Sequence, residues 1–220
     1  MVQSVLAILN PRCIPDFEAS VELLDIPTVR IRGYTEPEIA AGVWQRVLDG
    51  ARKRDFTHLT LISDDLVVPP DSLDAILSHA FEHPDRVSTG WANVDELEQD
   101  AGIARQPLVD AEPTSSSYSF PTWRSVLAGP RVQQTFFTGF VATTCLLSLW
   151  DRYPYTLCGG GWAADYSMSR RLTADGVRID CLRDAFCLHL KHDRRVPDHR
   201  PERRLLVGEM AQEVLWQMGG

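Results

Sequence analysis

Asp64 and Asp65 stand side by side at the end of an apolar run, and two neighbouring carboxylates there repel each other unless a cation or a basic group compensates. Leu59, Leu61 and Ile62 suit the centre of a parallel sheet, and Pro69 and Pro70 lack the N–H that would continue a ladder. The pair is therefore expected at the carboxyl edge of a buried strand, the edge at which open α/β sheets bind ligands. Asp71 suits the N-cap of a helix over 72–81, an ordinary structural role that accounts for it better than it accounts for Asp64 and Asp65.

A second carboxylate of interest, Asp165, follows the run Gly159, Gly160, Gly161, Trp162 and opens a helical stretch closed by Asp175 and Gly176. Glycines let backbone approach a ligand, and the positive end of a helix dipole stabilises an anionic Asp165. A plain helix-terminal charge explains Asp165 equally well at this point. Beyond it, Lys191, Arg194, Arg195, Arg200, Arg203 and Arg204 make a locally basic tail in an acidic chain. Such a tail is usually a solvated face, and it also suits a phosphate-rich ligand. His189 and His192 are the histidines close to these candidates; His79 and His83 fall at a helix end, and His58 begins a strand.

The elements that must position these groups follow from periodicity. Residues 4–9 read as a buried strand ended by Asn10 and Pro11, and 28–32 as a short strand ended by Gly33, with a helix over 16–24 between them. Thr35, Glu36, Pro37 and Glu38 form a capping box that opens a helix with Ile39, Val43, Val47 and Ala51 at four-residue spacing, Trp44 and Leu48 widening its buried face. The acidic strand comes next, then the 72–81 helix and a strand near 86–89. This alternation predicts a single α/β domain with a mostly parallel central sheet flanked by helices. Residues 92–117 are polar, acidic and proline-containing, a loop expected on the acceptor side. Residues 135–147 should return to the sheet, and 178–181 and 185–190 read as two further strands. The catalytic domain is expected over 1–200, with 201–220 as a C-terminal helix packed on it or extending it.

The 220 residues suit one domain with a sizeable core, and a net charge of −8 argues against bulk electrostatic binding to nucleic acid or anionic membrane. The 5 cysteines are odd in number and include no C-x-x-C pair, so neither a disulfide framework nor a cysteine zinc site is indicated and a reducing cytoplasm fits. The N-terminus has no charged region ahead of an apolar core, and the apolar stretch 136–150 is broken by Thr138, Gly139, Thr143, Thr144 and Ser148. Neither secretion nor a membrane span is expected.

Taken together, these segments resemble the GT-A class of glycosyltransferases, with family 2-like and galactosyltransferase-like features. Ser63-Asp64-Asp65, followed by a proline-started helix, is similar to the D-x-D metal motif, with Ser63 in the first aspartate's place and Asp65 in the second's. The block from Asp165 through Arg170, Arg171 and Leu172 to Gly176 is similar to E-D-x-D-L-x-x-R-L-x-x-x-G, with Ala164 in the glutamate's place and Ser167 in the later aspartate's. The segment 187–194 is similar to the galactosyltransferase-like end of the fold, where a histidine completes the metal site; His192 is the better match and His189 the reserve.

The resemblance implies an inverting transfer of a sugar from a nucleotide-diphosphate donor to an acceptor hydroxyl. Asp65, Asp64 and His192 would hold Mn2+ or Mg2+, and the imidazole tilts the choice towards manganese. Asp165 would be the catalytic base. Asn10, Pro11 and Arg32 would contact the nucleoside, Gly160, Gly161 and Trp162 would wall the donor sugar from the acceptor, and Arg194 and Arg195 would add phosphate contacts. Trp162 as a core residue is an equal alternative. The nucleoside base is not readable, the acceptor is open between a saccharide, a lipid-linked sugar, a protein and a modified nucleic-acid base, and homo-oligomerisation is open. Two other readings are a nucleotidyltransferase, ranked lower because Asn10-Pro11-Arg12-Cys13 lacks the glycines such an enzyme needs after its first strand, and a non-catalytic sugar-nucleotide-binding module.

Overall fold

The computed structural model describes residues 4–9, 14–92, 121–157 and 164–190, and the structural statements below concern these. Strand β1 (Ser4–Leu9) is buried along its whole length and pairs in parallel with β2 (Thr28–Ile31) on one side and β3 (His58–Ser63) on the other. The remaining strands are β4 (Leu66–Val67), β5 (Val87–Ala92), β6 (Val132–Thr135), β7 (Thr143–Leu146) and β8 (Ile179–His189). They form an 8-stranded sheet in the order β2-β1-β3-β7-β5-β8-β4, with β6 also on β8. β1, β2, β3, β5 and β8 run one way, while β4, β6 and β7 run against them. The sheet is thus mixed, with most strands in a common direction, and the single-domain α/β expectation holds.

Alternation along the strands loads both faces of the sheet. Val5, Ala7 and Leu9 of β1 with Leu59 and Leu61 of β3 meet Trp44 and Leu48 of α3 (Trp44–Arg52), Trp150 of α6 (Leu147–Arg152) and Met168 and Leu172 of α7 (Ala164–Ala174). Leu6, Ile8 and Ile62 point the other way, onto Phe17 and Val21 of α1 (Pro15–Val21) and Leu73 and Ile76 of α4 (Pro70–Glu82). The Trp44 and Trp150 rings meet edge to face at 5.0 Å, and Trp150 Nε1 donates to the Leu59 carbonyl at 2.9 Å, so the largest side chains of the first face are oriented as well as buried.

Several local expectations are corrected. The helix after the acidic strand starts at Pro70, capped by Pro69 in an extended conformation (φ −61°, ψ 144°), so Asp71 lies in the first turn and is not the N-cap. Proline at the first helical position presets φ and has no N–H to satisfy, which leaves Asp71 a dipole partner. The capping box does form, with Thr35 N–H and Oγ1–H both donating to Glu38 Oε2 at 2.7 and 2.8 Å, and these bonds hold the Glu38 carboxyl below its ordinary pKa. The helix it opens is not uniform: between α2 (Glu36–Glu38) and α3 the chain kinks at Gly42, whose φ of 164° and ψ of −14° are not helical. Residues 179–189 form one continuous strand where two were expected, because β8 bulges without breaking: its register against β5 shifts between Thr89 and Trp91. At the bulge, a Cβ on Gly90 would stand 2.4 Å from the Ala185 carbonyl oxygen, so only glycine fits between the strands. No described helix is long and apolar enough to cross a membrane.

Candidate functional site

The parallel register of the first three strands aligns their carboxyl ends: Leu9 pairs with Ile31 on one side and Ser63 on the other. Asp64 and Asp65 follow Ser63 directly, so both acids lie at this edge, as the proline-stopped strand predicts. Asp64 is fully enclosed and Asp65 nearly so. The chain then turns into the two-residue β4, which pairs antiparallel with the end of β8, Leu66 against His189 and Val67 against Leu188. A bond from Leu190 N–H to the Asp65 carbonyl, 2.8 Å, closes the same corner.

This pairing brings His189 onto Asp65. His189 Nε2 stands 3.2 Å from Asp65 Oδ2, with the imidazole side chain 33% exposed and the carboxylate side chain 6% exposed. The carboxylate thus forms an inner wall and the imidazole a face open to solvent. Of the two histidines read from the sequence, His189 is the one within the described residues, and it meets the acid. The pair is a nitrogen and an oxygen donor, and adjacent ligands of one octahedral cation are separated by about 3 Å when each bond is about 2.1 Å, so the spacing fits a shared divalent ion. Among the described residues no group of three or more His, Cys, Asp and Glu gathers as a metal cluster.

Asp165 lies in the first turn of α7, half-buried, and its Oδ1 accepts a bond from Tyr166 N–H at 2.7 Å. That contact is what a helix-terminal carboxylate makes. The helix start is also tied to the turn between β6 and β7, because Ser169 Oγ–H donates to the Asp165 carbonyl at 2.7 Å while Ser169 Oγ accepts from Thr138 N–H at 3.0 Å. The turn itself is strained: Gly139, Phe140 and Ala142 have φ of 56°, 50° and 49°. Left-handed non-glycine residues persist only where surroundings enforce them. Here Thr89 Oγ1–H donates to the Val141 carbonyl at 2.7 Å and Gly90 N–H to the same oxygen at 3.0 Å, so β5, where it faces the bulge of β8, holds the turn that in turn holds α7. Sequence reasoning missed Thr89, Thr138 and Ser169, and nothing in their local sequence marks them, since their partners lie 31 and 52 residues away.

Arg32 follows β2 at the same carboxyl edge and donates from Nη2 to Glu18 Oε1 at 3.1 Å, while Arg30 Nη1 reaches Glu18 Oε2 at 2.7 Å. It is therefore in place at the edge but engaged with α1. Asn10, Pro11, Gly160, Gly161, Trp162, His192, Arg194 and Arg195 lie outside the described residues, as does 201–220. Cys145, Cys181 and Cys187 are free and buried, and burial pushes their thiols up.

No protein-family model and no curated protein matches the chain. Among solved structures it is similar to A197 from STIV, with a TM-score of 0.51 and 13% identity over 82% of this chain and 81% of that one. At that identity the likeness is one of fold. GalNAc-T7, solved with UDP, GalNAc and Mn2+, superposes at a TM-score of 0.47 and 7% identity over 86% of this chain and 44% of that one, too loosely to bear on function. The architecture is consistent with the GT-A-like, Rossmann-like fold that the sequence resembles.

Proposed function

We propose that this chain is a glycosyltransferase that moves a sugar from a nucleotide-diphosphate donor to an acceptor hydroxyl with inversion. The observation that carries the reading is the meeting of Asp65 and His189 at the carboxyl edge of the sheet, 3.2 Å apart, at the end of the strand that bears the D-x-D-like motif. A divalent cation bound there supplies charge neutralisation for the departing diphosphate. Asp65 holds it with His189 or with His192, the histidine that the family pattern favours, and Asp64 helps directly or through water. Arg32, Asn10 and Pro11 border the nucleoside, and Arg194 and Arg195 neutralise phosphate oxygens. Asp165 takes the acceptor's proton as its oxygen attacks the anomeric carbon, and the Thr138–Ser169 link keeps the helix that carries it from shifting. Gly160, Gly161 and Trp162 separate donor sugar from acceptor. The buried, unpaired thiols of Cys145, Cys181 and Cys187 agree with a reducing, cytoplasmic setting.

The test is calorimetric titration of MnCl2 in the presence of UDP or GDP, followed by hydrolysis assays on the sugar nucleotides whose nucleoside diphosphates bind. Asp65→Ala is expected to abolish manganese-dependent nucleotide binding, with Asp64→Ala costing less. Unchanged manganese affinity in Asp65→Ala overturns the assignment. Ser63, standing where the motif's first acid is expected, favours one other reading, a sugar-nucleotide-binding module without turnover. Binding with no hydrolysis or transfer from any stabilising donor separates it from the enzyme.

A further inference from the structure

The outer edge of the sheet carries a cleft that the proposed transfer site does not use. β2 is the terminal strand of the sheet on its side, and between it and α3 lies a cavity of about 540 Å3, a size that suits a small organic ligand. Its lining runs from Pro27 and Thr28 at the amino end of β2 to Tyr34 beyond its carboxyl end. The walls are apolar: Val5, Val29, Val47 and Phe56. Among the described residues that line it, the charged groups besides Arg30 are the guanidinium groups of Arg46 and Arg54.

The two arginines differ from most of their counterparts elsewhere, sharing the lack of an acid partner among the described residues with Arg124 and with Arg170, which lies over the Tyr166 ring. In a chain with 30 Asp and Glu against 22 Lys and Arg, acid partners are plentiful, and Arg30, Arg32, Arg52, Arg86, Arg152 and Arg178 each sit at ion-pair distance from one. Arg46 instead lies over the Tyr34 ring at 5.7 Å, and Arg54 donates to the Gly50 carbonyl at 3.0 Å; among the described residues neither reaches a carboxylate. A cavity with hydrocarbon walls, two acid-free guanidiniums and an aromatic ring excludes a cation and gives a neutral sugar little to bond. It complements a molecule with an apolar body and an anionic head.

We infer that the β2–α3 cleft is a binding site for an amphiphilic anion, an apolar chain or ring system bearing a carboxylate or a phosphate, with Arg46 and Arg54, about 12 Å apart along the helix, offering the head group a guanidinium towards either end of the cleft. The ligand's body replaces water against Val5, Val29, Val47 and Phe56, and the guanidiniums supply charge-assisted bonds suited to either head group. The site is independent of the nucleotide site and is expected to persist when that site is disabled.

Calorimetry with decanoate, decyl phosphate, decanol and inorganic phosphate, each below its aggregation limit, tests the inference. Either or both of the two anionic amphiphiles should bind, their ratio identifying the preferred head group, and both decanol and inorganic phosphate should bind at least about tenfold more weakly. Arg46→Gln with Arg54→Gln, both exposed and remote from the core, should weaken the anion about tenfold and leave decanol unchanged. Val47→Trp, which sets an indole into the cavity wall, should weaken binding of both, with circular dichroism confirming the fold, and Asp65→Ala should bind decanoate as the unaltered chain does. Absence of binding by both anionic amphiphiles, decanol binding as tight as decanoate, or undiminished decanoate binding in the double arginine variant each overturns the inference.

Discussion

Asp65 and His189 are 124 residues apart in sequence and 3.2 Å apart in space, which makes their contact a sensitive place to probe the chemistry. His189→Ala is expected to weaken manganese binding in the presence of UDP by at least tenfold if the observed contact is the metal pair, with His192→Ala nearly silent. The opposite order, read by the same titration, moves the ligand role to His192. Asp165→Asn separates the two roles open to that residue. As the proposed base it should leave donor and metal affinity intact while lowering turnover by ~10²–10⁴-fold, because the amide packs alike but accepts no proton. As a helix-terminal charge alone it should lower the melting temperature and spare the rate once an acceptor is in hand. The carboxylates were legible in the sequence because a strand pattern ending in acids and prolines is local. Which histidine meets them was not, and His189 stood only in reserve, because the contact depends on a two-residue strand, β4, whose pairing with β8 leaves no periodic signal.

Among the elements, the long helices and the buried strands could be read from periodicity, and β1 and β3 have the bounds expected of them. What escaped was irregularity forced by packing across the sheet. The bulge at Gly90 lets β8 run unbroken through 179–189, where the polar residues Arg183 and Asp184 made two strands the natural reading. Trp91 then turns its Nε1–H onto the Arg183 carbonyl at 2.7 Å and packs against Phe186, so the bulge is secured by a buried aromatic pair. Gly90→Ala should force the Ala185 carbonyl away from its place and cost roughly 1–3 kcal/mol, the range typical of overpacking, measurable by urea unfolding. Because Gly90 N–H also bonds the Val141 carbonyl, the same variant should loosen the 138–142 turn, visible as faster amide exchange at Val141 and at Thr138.

At the scale of the whole molecule, histidine burial gives the fold a dependence on pH distinct from anything at the candidate site. Burial holds His79 below its ordinary pKa of 6.5, Asp180 and Glu82 opposing the shift while His83 and Arg86 reinforce it. His79 Nδ1 lies 2.9 Å from Ser88 Oγ, linking α4 to β5. His58, edge-on to Phe81 at 4.7 Å, is likewise held low by burial. Both rings are therefore neutral in the fold at a pH where the unfolded chain already binds their protons. The stability they contribute is fully present above pH 6.5 and declines as pH falls below it, because the unfolded state takes up the protons first. Urea unfolding at pH 7.5 and pH 5.5 is expected to show lower stability at the acid value, and His58→Gln with His79→Gln should flatten that decline, since glutamine keeps a hydrogen-bonding amide but does not titrate. An equal decline in the double variant would assign the pH dependence to the carboxylates instead of the two buried imidazoles.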